Sequence, residues 1–390
     1  MKKRAIGRIQ SERGIALAVA IFALVVVGGL VGGALFVGTQ EQRIGRNTLR
    51  QQEAFAAAEA ATQELVASWN TQAFNQMPVG STVTTQGQAP DGRGWYRRTV
   101  QRLNQMLFLV SAEGFSSDNS SRQRVGMLMR LRPFQFNINA ALKTQGQVRV
   151  GGSSWISGRD APPSGWPGCS TQPMLPGIRM PDPSQVQTSG CSPKGSPPDY
   201  PCVEGAPQDI VRDTSITTQT LTEVGGIPFD SLRLYATKYI SCPSGCNLKI
   251  EPSATGGVCN TGLQRNWGEP WAPGTAGAVS ECFNYFPIIY VDGNLSINQN
   301  RGQGVLIVNG NLDVQGGFQF YGPVLVRGTI KTTGTGGHFN GGVIAANVEL
   351  QQNVVLGNAV INYSSCALIR ATTASATAVR VKDRAWISLY

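Results

Sequence analysis

From Gly14 to Gly38 the chain runs Gly-Ile-Ala-Leu-Ala-Val-Ala-Ile-Phe-Ala-Leu-Val-Val-Val-Gly-Gly-Leu-Val-Gly-Gly-Ala-Leu-Phe-Val-Gly without one charged residue. As a helix such a run rises about 37 Å, enough to cross a hydrocarbon core of about 30 Å with some tilt. A helix satisfies its own backbone hydrogen bonds in lipid, so the Gly29 and Gly33 breaks in propensity are tolerable there. The remaining chain must then be organised around one anchor close to its start.

Lys2, Lys3, Arg4, Arg8 and Arg13 precede the run against a lone Glu12. Positive flanks stay on the cytoplasmic side, so the N-terminus is read as inside and everything after Gly38 as periplasmic or extracellular. A secretory signal peptide has an apolar region of about 7–15 residues ending in a small-x-small site. Here the run is longer and Gln40-Glu41-Gln42-Arg43 follows directly. A buried core helix is the competing structural reading, and the unbroken apolar run argues against it. The Gly29-x-x-x-Gly33 spacing would let two helix backbones approach.

Helical character continues through Gln40–Trp69, where Arg46, Arg50, Glu53, Glu59 and Glu64 alternate with Ile44, Leu49, Phe55, Leu65 and Trp69. The stretch Glu53-Ala-Phe-Ala-Ala-Ala-Glu-Ala-Ala is made of strong helix formers. Anchor and stretch together predict one rod that leaves the membrane and becomes amphipathic, closed by Pro78 and Gly80. The basic leader ending at Gly14, the uncharged run, the polar exit Thr39–Arg50 and the Ala54–Ala60 stretch together resemble the start of PilX-type minor pilins of type IV pilus systems. The resemblance covers about the first seventy residues. It implies cleavage after Gly14 by a prepilin peptidase, with Ile15 as the new, methylated N-terminus, and packing of the helix against other pilin-like subunits. It also implies a glutamate at the fifth mature position, to pair with a neighbour's amino terminus. Val19 stands there, and an unpaired amine in an apolar filament core is costly, which fits a tip or rare subunit. If Gly14 is not cut, the segment is a plain anchor in the lipid bilayer.

Beyond the rod, Trp95–Leu103, Met106–Ala112 and Arg124–Leu131 are β-like runs that predict a small antiparallel meander, joined at Asn104-Gln105. Further on, Val291-Asp-Gly-Asn-Leu-Ser-Ile297 is echoed by Val308-Asn-Gly-Asn-Leu-Asp-Val314, Val326-Arg-Gly-Thr-Ile-Lys-Thr332 and Ile344-Ala-Ala-Asn-Val-Glu-Leu350, with starts 17, 18 and 18 residues apart. Units of that length need stacked neighbours to bury their apolar side, so a parallel β-helix is predicted. Bactofilins have coils of similar length but lack such a leader; a β-sandwich is the alternative for short runs at regular spacing. Val148–Val150 and Trp155–Ile156 look like one more rung upstream.

The chain is therefore read as α+β: a basic leader 1–14, a transmembrane and amphipathic helix 15–70, an antiparallel meander 80–140, a first β-helix-like rung 141–160, a Pro/Gly/Cys-rich insertion 161–285 and a β-helix-like repeat region 286–390. With 47 Gly, 22 Pro and 14% charged residues, a β-rich, turn-rich exported portion is expected. Cys169, Cys191, Cys202, Cys242, Cys246, Cys259 and Cys282 fall in or beside the insertion and Cys366 near the end. An even count on the exported side argues for disulfides, with the pairing open. Cys242-x-x-x-Cys246 has no second pair and His338 is distant, so no metal site is expected.

Little catalytic chemistry is legible. His338 lies in Gly334-Thr-Gly-Gly-His-Phe-Asn-Gly-Gly342, read as a solvated turn, with no nucleophile or acid in a recognisable motif nearby. A polysaccharide-active β-helix enzyme would want two carboxylates facing one bond, yet Asp292, Asp313 and Glu349 are the acids of the repeat zone, and Asp292 and Asp313 occupy different rung positions. The net charge of +10 is scattered, without the basic stripe and interleaved aromatics that nucleic-acid binding requires. No cofactor and no catalysis are expected. The function read here is structural: a filament subunit with an exposed head for adhesion or partner binding, or else an uncut membrane-anchored adhesin. Trp155, Trp166, Trp267, Trp271, Tyr285 and Phe286 are candidate contacts for a surface ligand.

Overall fold

A computed structural model describes residues 12–189, 202–224, 226–350, 358–382 and 386–388. One uninterrupted helix, α1 (Glu12–Ala67), contains both the apolar run and the alanine-rich stretch. No proline interrupts it, and Thr39 and Thr48 return their hydroxyls to the carbonyls of Phe36 and Ile44 instead of breaking the ladder. It stops well before Pro78. It ends at Ala67, and Asn70 then accepts from Ala73 N as the N-cap of a separate turn, Thr71–Phe74, so the rod is over before the proline and glycine are reached.

Four strands, β1 (Thr82–Gln88), β2 (Trp95–Arg102), β3 (Leu107–Phe115) and β4 (Arg122–Arg132), form an antiparallel meander in sequence order. Asn104 makes the β2–β3 turn by accepting from the amides of Met106 and Leu107. The sheet lies on the second half of α1, where Ala54, Ala57, Ala58 and Ala61 are fully buried. Phe108, Val110 and Ala112 of β3 and Met127, Met129 and Leu131 of β4 are buried too, with Trp69 edge-on to Phe108 at 5.3 Å between centroids. Gly114 allows the closest approach: a Cβ there would meet Ala58 N at 2.5 Å. The buried face of the helix is thus the alanine stripe ending in Leu65. Ile44, Leu49 and Phe55, expected on the same apolar face, stay exposed.

The meander does not end at β4. Two C-terminal strands, Thr377–Arg380 and Trp386–Ser388, pair antiparallel with it, so part of the region read as repeat, 286–390, belongs to this sheet.

The second sheet has fifteen strands, and its pairings are parallel. Its chain coils through three faces per turn. On the Gln319–Thr333 and His338–Leu350 turns, residues 319–321 stack on 338–340, 324–326 on 343–345, and 329–332 on 347–350. Parallel stacking of successive turns is a β-helix and excludes the sandwich, whose pairs run antiparallel. The interior is filled by aligned apolar columns such as Leu295, Leu312, Ile330 and Val348, all buried. Gly322 turns one corner at φ +135°, where a Cβ would strike the Gly304 carbonyl of the preceding turn.

The register carries a slip. Val291 aligns with Val308 and Val308 with Val326, but Val326 aligns with Ala345 and not with Ile344. An irregularity between Val326 and Thr329 absorbs the extra residue, so Ile330 again meets Val348.

The coil is not laid down in chain order. Leu142–Thr144, Val148–Gly151 and Trp155–Ser157 form one turn, and Ile178–Met180, Val186–Ser189 and Val203–Glu204 stack on it as the next, followed by Ile210–Arg212. The chain then crosses to the opposite end, where Lys238–Leu248 pairs with Ile288–Asn298, and winds back until Val343, Val348 and Val360 rest on Leu142, Val148 and Trp155. The segment 161–285 therefore supplies turns at both ends of the coil and is not only a loop-rich insertion. Its strands before Lys238 are two to four residues long, too short to display alternation, and Lys238–Leu248 is broken by an irregularity between Cys242 and Cys246.

A helix, α2 (Ser365–Ala374), leaves the coil and leads back to the meander. Ser364 caps its start, and Asp160 accepts from the Ser365 amide at 2.9 Å and hydroxyl at 2.6 Å. At its other end Asn75 donates through Nδ2 to the carbonyls of Thr373, Ala374 and Ala376 at 2.9–3.1 Å.

Candidate assembly and display surfaces

Gly14 and Ile15 lie in the opening turns of α1. From Ile15 onward the apolar half presents its large side chains outward: Leu17, Phe22, Leu24, Leu30 and Leu35 are each more than 60% exposed, and Val19 59%. No heavy atom would come within 4 Å of a Cβ at Gly29 or Gly33, so this flank is open to a second helix or to lipid. The window of highest hydropathy is entirely unburied, which separates it from a core helix. Exposed apolar residues persist beyond the uncharged run at Ile44, Leu49 and Phe55, on the helix that carries the buried alanines. The rod thus has an inner face committed to its own sheet and an outer face with no partner among the described residues.

Polar contacts clamp the sheet to the rod. Arg50 pairs with Asp118 at 2.7 Å, and Arg98 with Glu64 at 3.4 Å. The Tyr96 hydroxyl donates to Glu64 at 2.8 Å, and burial, with Glu64 next in importance, raises its pKa. The carboxyl of Asp118 is held down at about 2, chiefly by Ser120 through hydroxyl and amide, then by Ser116 and Arg50.

The cysteines form disulfides. Cys169 bonds to Cys366, joining the loop after the first coil turn to α2; Cys242 bonds to Cys246 across the irregularity in Lys238–Leu248; Cys259 bonds to Cys282. Cys202 is also disulfide-bonded, and Cys191 lies outside the described residues.

Of the candidate contact aromatics, Trp166, Trp267, Tyr285 and Phe286 are buried, because the coil's corners and flank need large side chains to fill them. Trp166 donates to the Pro270 carbonyl at 2.7 Å, and Trp267 packs edge-on against Phe318 and Phe320. Trp155 and Trp271 keep partial exposure. Trp271 is covered by the Arg301 guanidinium, 3.7 Å from its ring centroid.

His338 opens a strand and is not in a solvated turn: half-buried, it bonds through Nε2 to the Asn358 carbonyl at 2.9 Å and stacks between Gln319 and Val360. Asp292 accepts from Tyr239 and Asn309, both at 2.9 Å. Asp313 belongs to a different column, in which Asp313, Lys331, Glu349 and Arg149 are successive partners. Charge alternates along that column, so its two acids are separated by Lys331 and do not face one another as a pair.

Sequence reasoning missed Asn75 and Gly114, which fix the modules together. Gly114 sits inside an otherwise regular strand pattern, a signal of close backbone approach. Asn75 carries no such signal, since the helix it caps lies three hundred residues away in the chain.

No family model matches this chain, and no curated protein is similar to it. Among solved structures, the competence-associated pilin ComZ from Thermus thermophilus aligns over 87% of this chain and 97% of its own, at 13% identity and a TM-score of 0.25. An overlap of that size leaves the case to the chain's own geometry.

Proposed function

We propose that the chain is a minor pilin-like structural subunit of a type IV pilus-like filament, its β-rich head displayed outside the cell and without catalytic activity of its own. The observation that carries this reading is the two-sided rod: one continuous helix whose alanine stripe is buried under the meander while its outer apolar face, from Ile15 through Phe55, is left open. A plain anchor needs apolar surface only within the hydrocarbon core, about 30 Å of it. Apolar side chains at Ile44, Leu49 and Phe55 lie beyond that length and fit lateral contact with neighbouring helices. The PilX-like leader, the Ala54–Ala60 stretch and Val19 support a minor, tip-proximal subunit over a shaft component.

The intact mass of protein extracted from its native membrane tests the processing step. A mature terminus at Ile15, after cleavage by a prepilin peptidase, is the expected result. A terminus at Met1 would overturn it and favour the uncut, membrane-anchored adhesin.

A further inference from the structure

Where Asn75 and Gln76, the 167–172 loop and α2 converge there is a cavity of about 600 Å³, within the size range of small-ligand sites. Its lining contains two arginines and no Asp, Glu or Lys. Arg370 projects from α2 and donates through Nε to Gln76 Oε1 at 3.2 Å and through Nη2 to Asn284 Oδ1 at 3.0 Å, with its guanidinium 4.3 Å from the Phe283 ring centroid. Arg102 is buried at the end of β2 and donates to the carbonyls of Met77, Asn104 and Gln105. Every oxygen these two guanidiniums meet is neutral, and neither has a carboxylate partner among the described residues.

Two desolvated positive charges that face one cavity without a counter-charge are unfavourable until an anion enters. Burial lowers the pKa of both, that of Arg370 to about 10, as an unpaired cation requires. Asp160, whose partners Gln172 and Ser365 are lining residues, is itself engaged by the amide of Gln172 and by the amide and hydroxyl of Ser365. The rest of the lining includes the amides of Asn75, Gln76, Gln105, Gln172 and Asn284 and three hydroxyls, with an apolar side at Phe283, Ile369 and the Cys169–Cys366 disulfide. Neutral amides beside an aromatic ring suit hydroxyl-bearing rings, and a guanidinium suits a carboxylate.

We infer that this cavity binds a carboxylate-bearing sugar of the uronate class, its carboxylate directed to Arg370 and its hydroxyls to the surrounding amides. The inference gives a chemistry to the display role proposed above, but its test reads binding alone and so stands or falls separately from filament assembly.

Isothermal titration of the full chain in detergent micelles with galacturonate and glucuronate, against galactose, acetate and inorganic phosphate, decides it. The expected result is that a uronate binds at least about tenfold more tightly than any of the other three, and that Arg370→Gln weakens it by about tenfold or more. Ser170→Trp, a substitution at an exposed rim position, is expected to abolish binding by filling the cavity without touching α2, and Arg327→Gln on the distant coil is expected to change nothing. Absence of uronate binding to a folded protein, equal binding of acetate or phosphate, or uronate binding that survives both Arg370→Gln and Ser170→Trp would each overturn the assignment.

Discussion

Gly114 of β3 lies against Ala58 of α1 so closely that any side chain at Gly114 would collide with the helix backbone, its Cβ 2.5 Å from Ala58 N. Sheet and rod are held together by this absence of side chains on both surfaces, glycine on one and alanine on the other. Gly114→Val is expected to force them apart and destabilise the meander by about 3 kcal/mol, at the upper end of overpacking effects. Urea unfolding in micelles, followed through the Trp69 and Trp95 fluorescence of that module, measures it. A change near zero would mean that the sheet can slide on the helix.

Asn75 joins the end of the rod to the C-terminal return. Its amide donates to two carbonyls of α2, those of Thr373 and Ala374, and to that of Ala376 just beyond, and its oxygen accepts from the Trp69 indole at 2.8 Å. Asn75→Ala leaves these groups unpartnered, an expected loss of about 2 kcal/mol. Amide hydrogen exchange should then accelerate in 365–380 well before it does in the coil.

The disulfides are expected to differ in weight. Cys169–Cys366 spans 197 residues and Cys242–Cys246 only 4. In the chain-entropy picture these loops correspond to about 5 and about 2 kcal/mol. Replacing both cysteines of the first pair with serine should lower the thermal midpoint clearly more than replacing both of the second, and non-reducing peptide mapping should recover the Cys169–Cys366 and Cys259–Cys282 links.

Lys238 is buried, its ammonium held by the carbonyls of Thr261 and Leu263, and burial lowers its pKa from 10.5 to about 8. Between those values the unfolded chain binds the proton that the folded chain has released, so stability rises with pH above 8. Tyr285, whose pKa burial raises above 10.0, works in the opposite sense once pH exceeds that value. Denaturation midpoints should therefore climb between pH 8 and pH 10, and Lys238→Met should flatten the climb.

The long-range order of the coil was the least legible part of the sequence. Leu295, Leu312, Ile330 and Val348 repeat at intervals that local pattern reveals, and the structure stacks them. Val343 on Leu142 repeats nothing, because each turn needs only apolar residues of suitable size at three columns, and glycine-rich corners hide where one turn ends. The slip at Ala345 escaped for a related reason: Ile344 looks as apolar as its neighbours, and only pairing shows which of the two faces inward. The return of Thr377–Arg380 to β4 could not be read from spacing, since a single edge strand carries no address for its partner. The rod, by contrast, was legible because helix propensity and apolar run are local. What was misjudged is which face it buries: alanine, small enough for a sheet to approach closely, outcompetes the larger Ile44, Leu49 and Phe55.

In a filament the outer face of α1 must meet other helices. A photo-crosslinking residue placed at Leu49 or Phe55, with irradiation of cells in which the native filament machinery is present, reads this directly. Crosslinks are expected to residues within the N-terminal helix of another pilin-like subunit, lost when the matching residue is placed at the buried Ala58. Crosslinks to lipid alone from both Leu49 and Phe55 would contradict it and leave the chain a simple anchored surface protein.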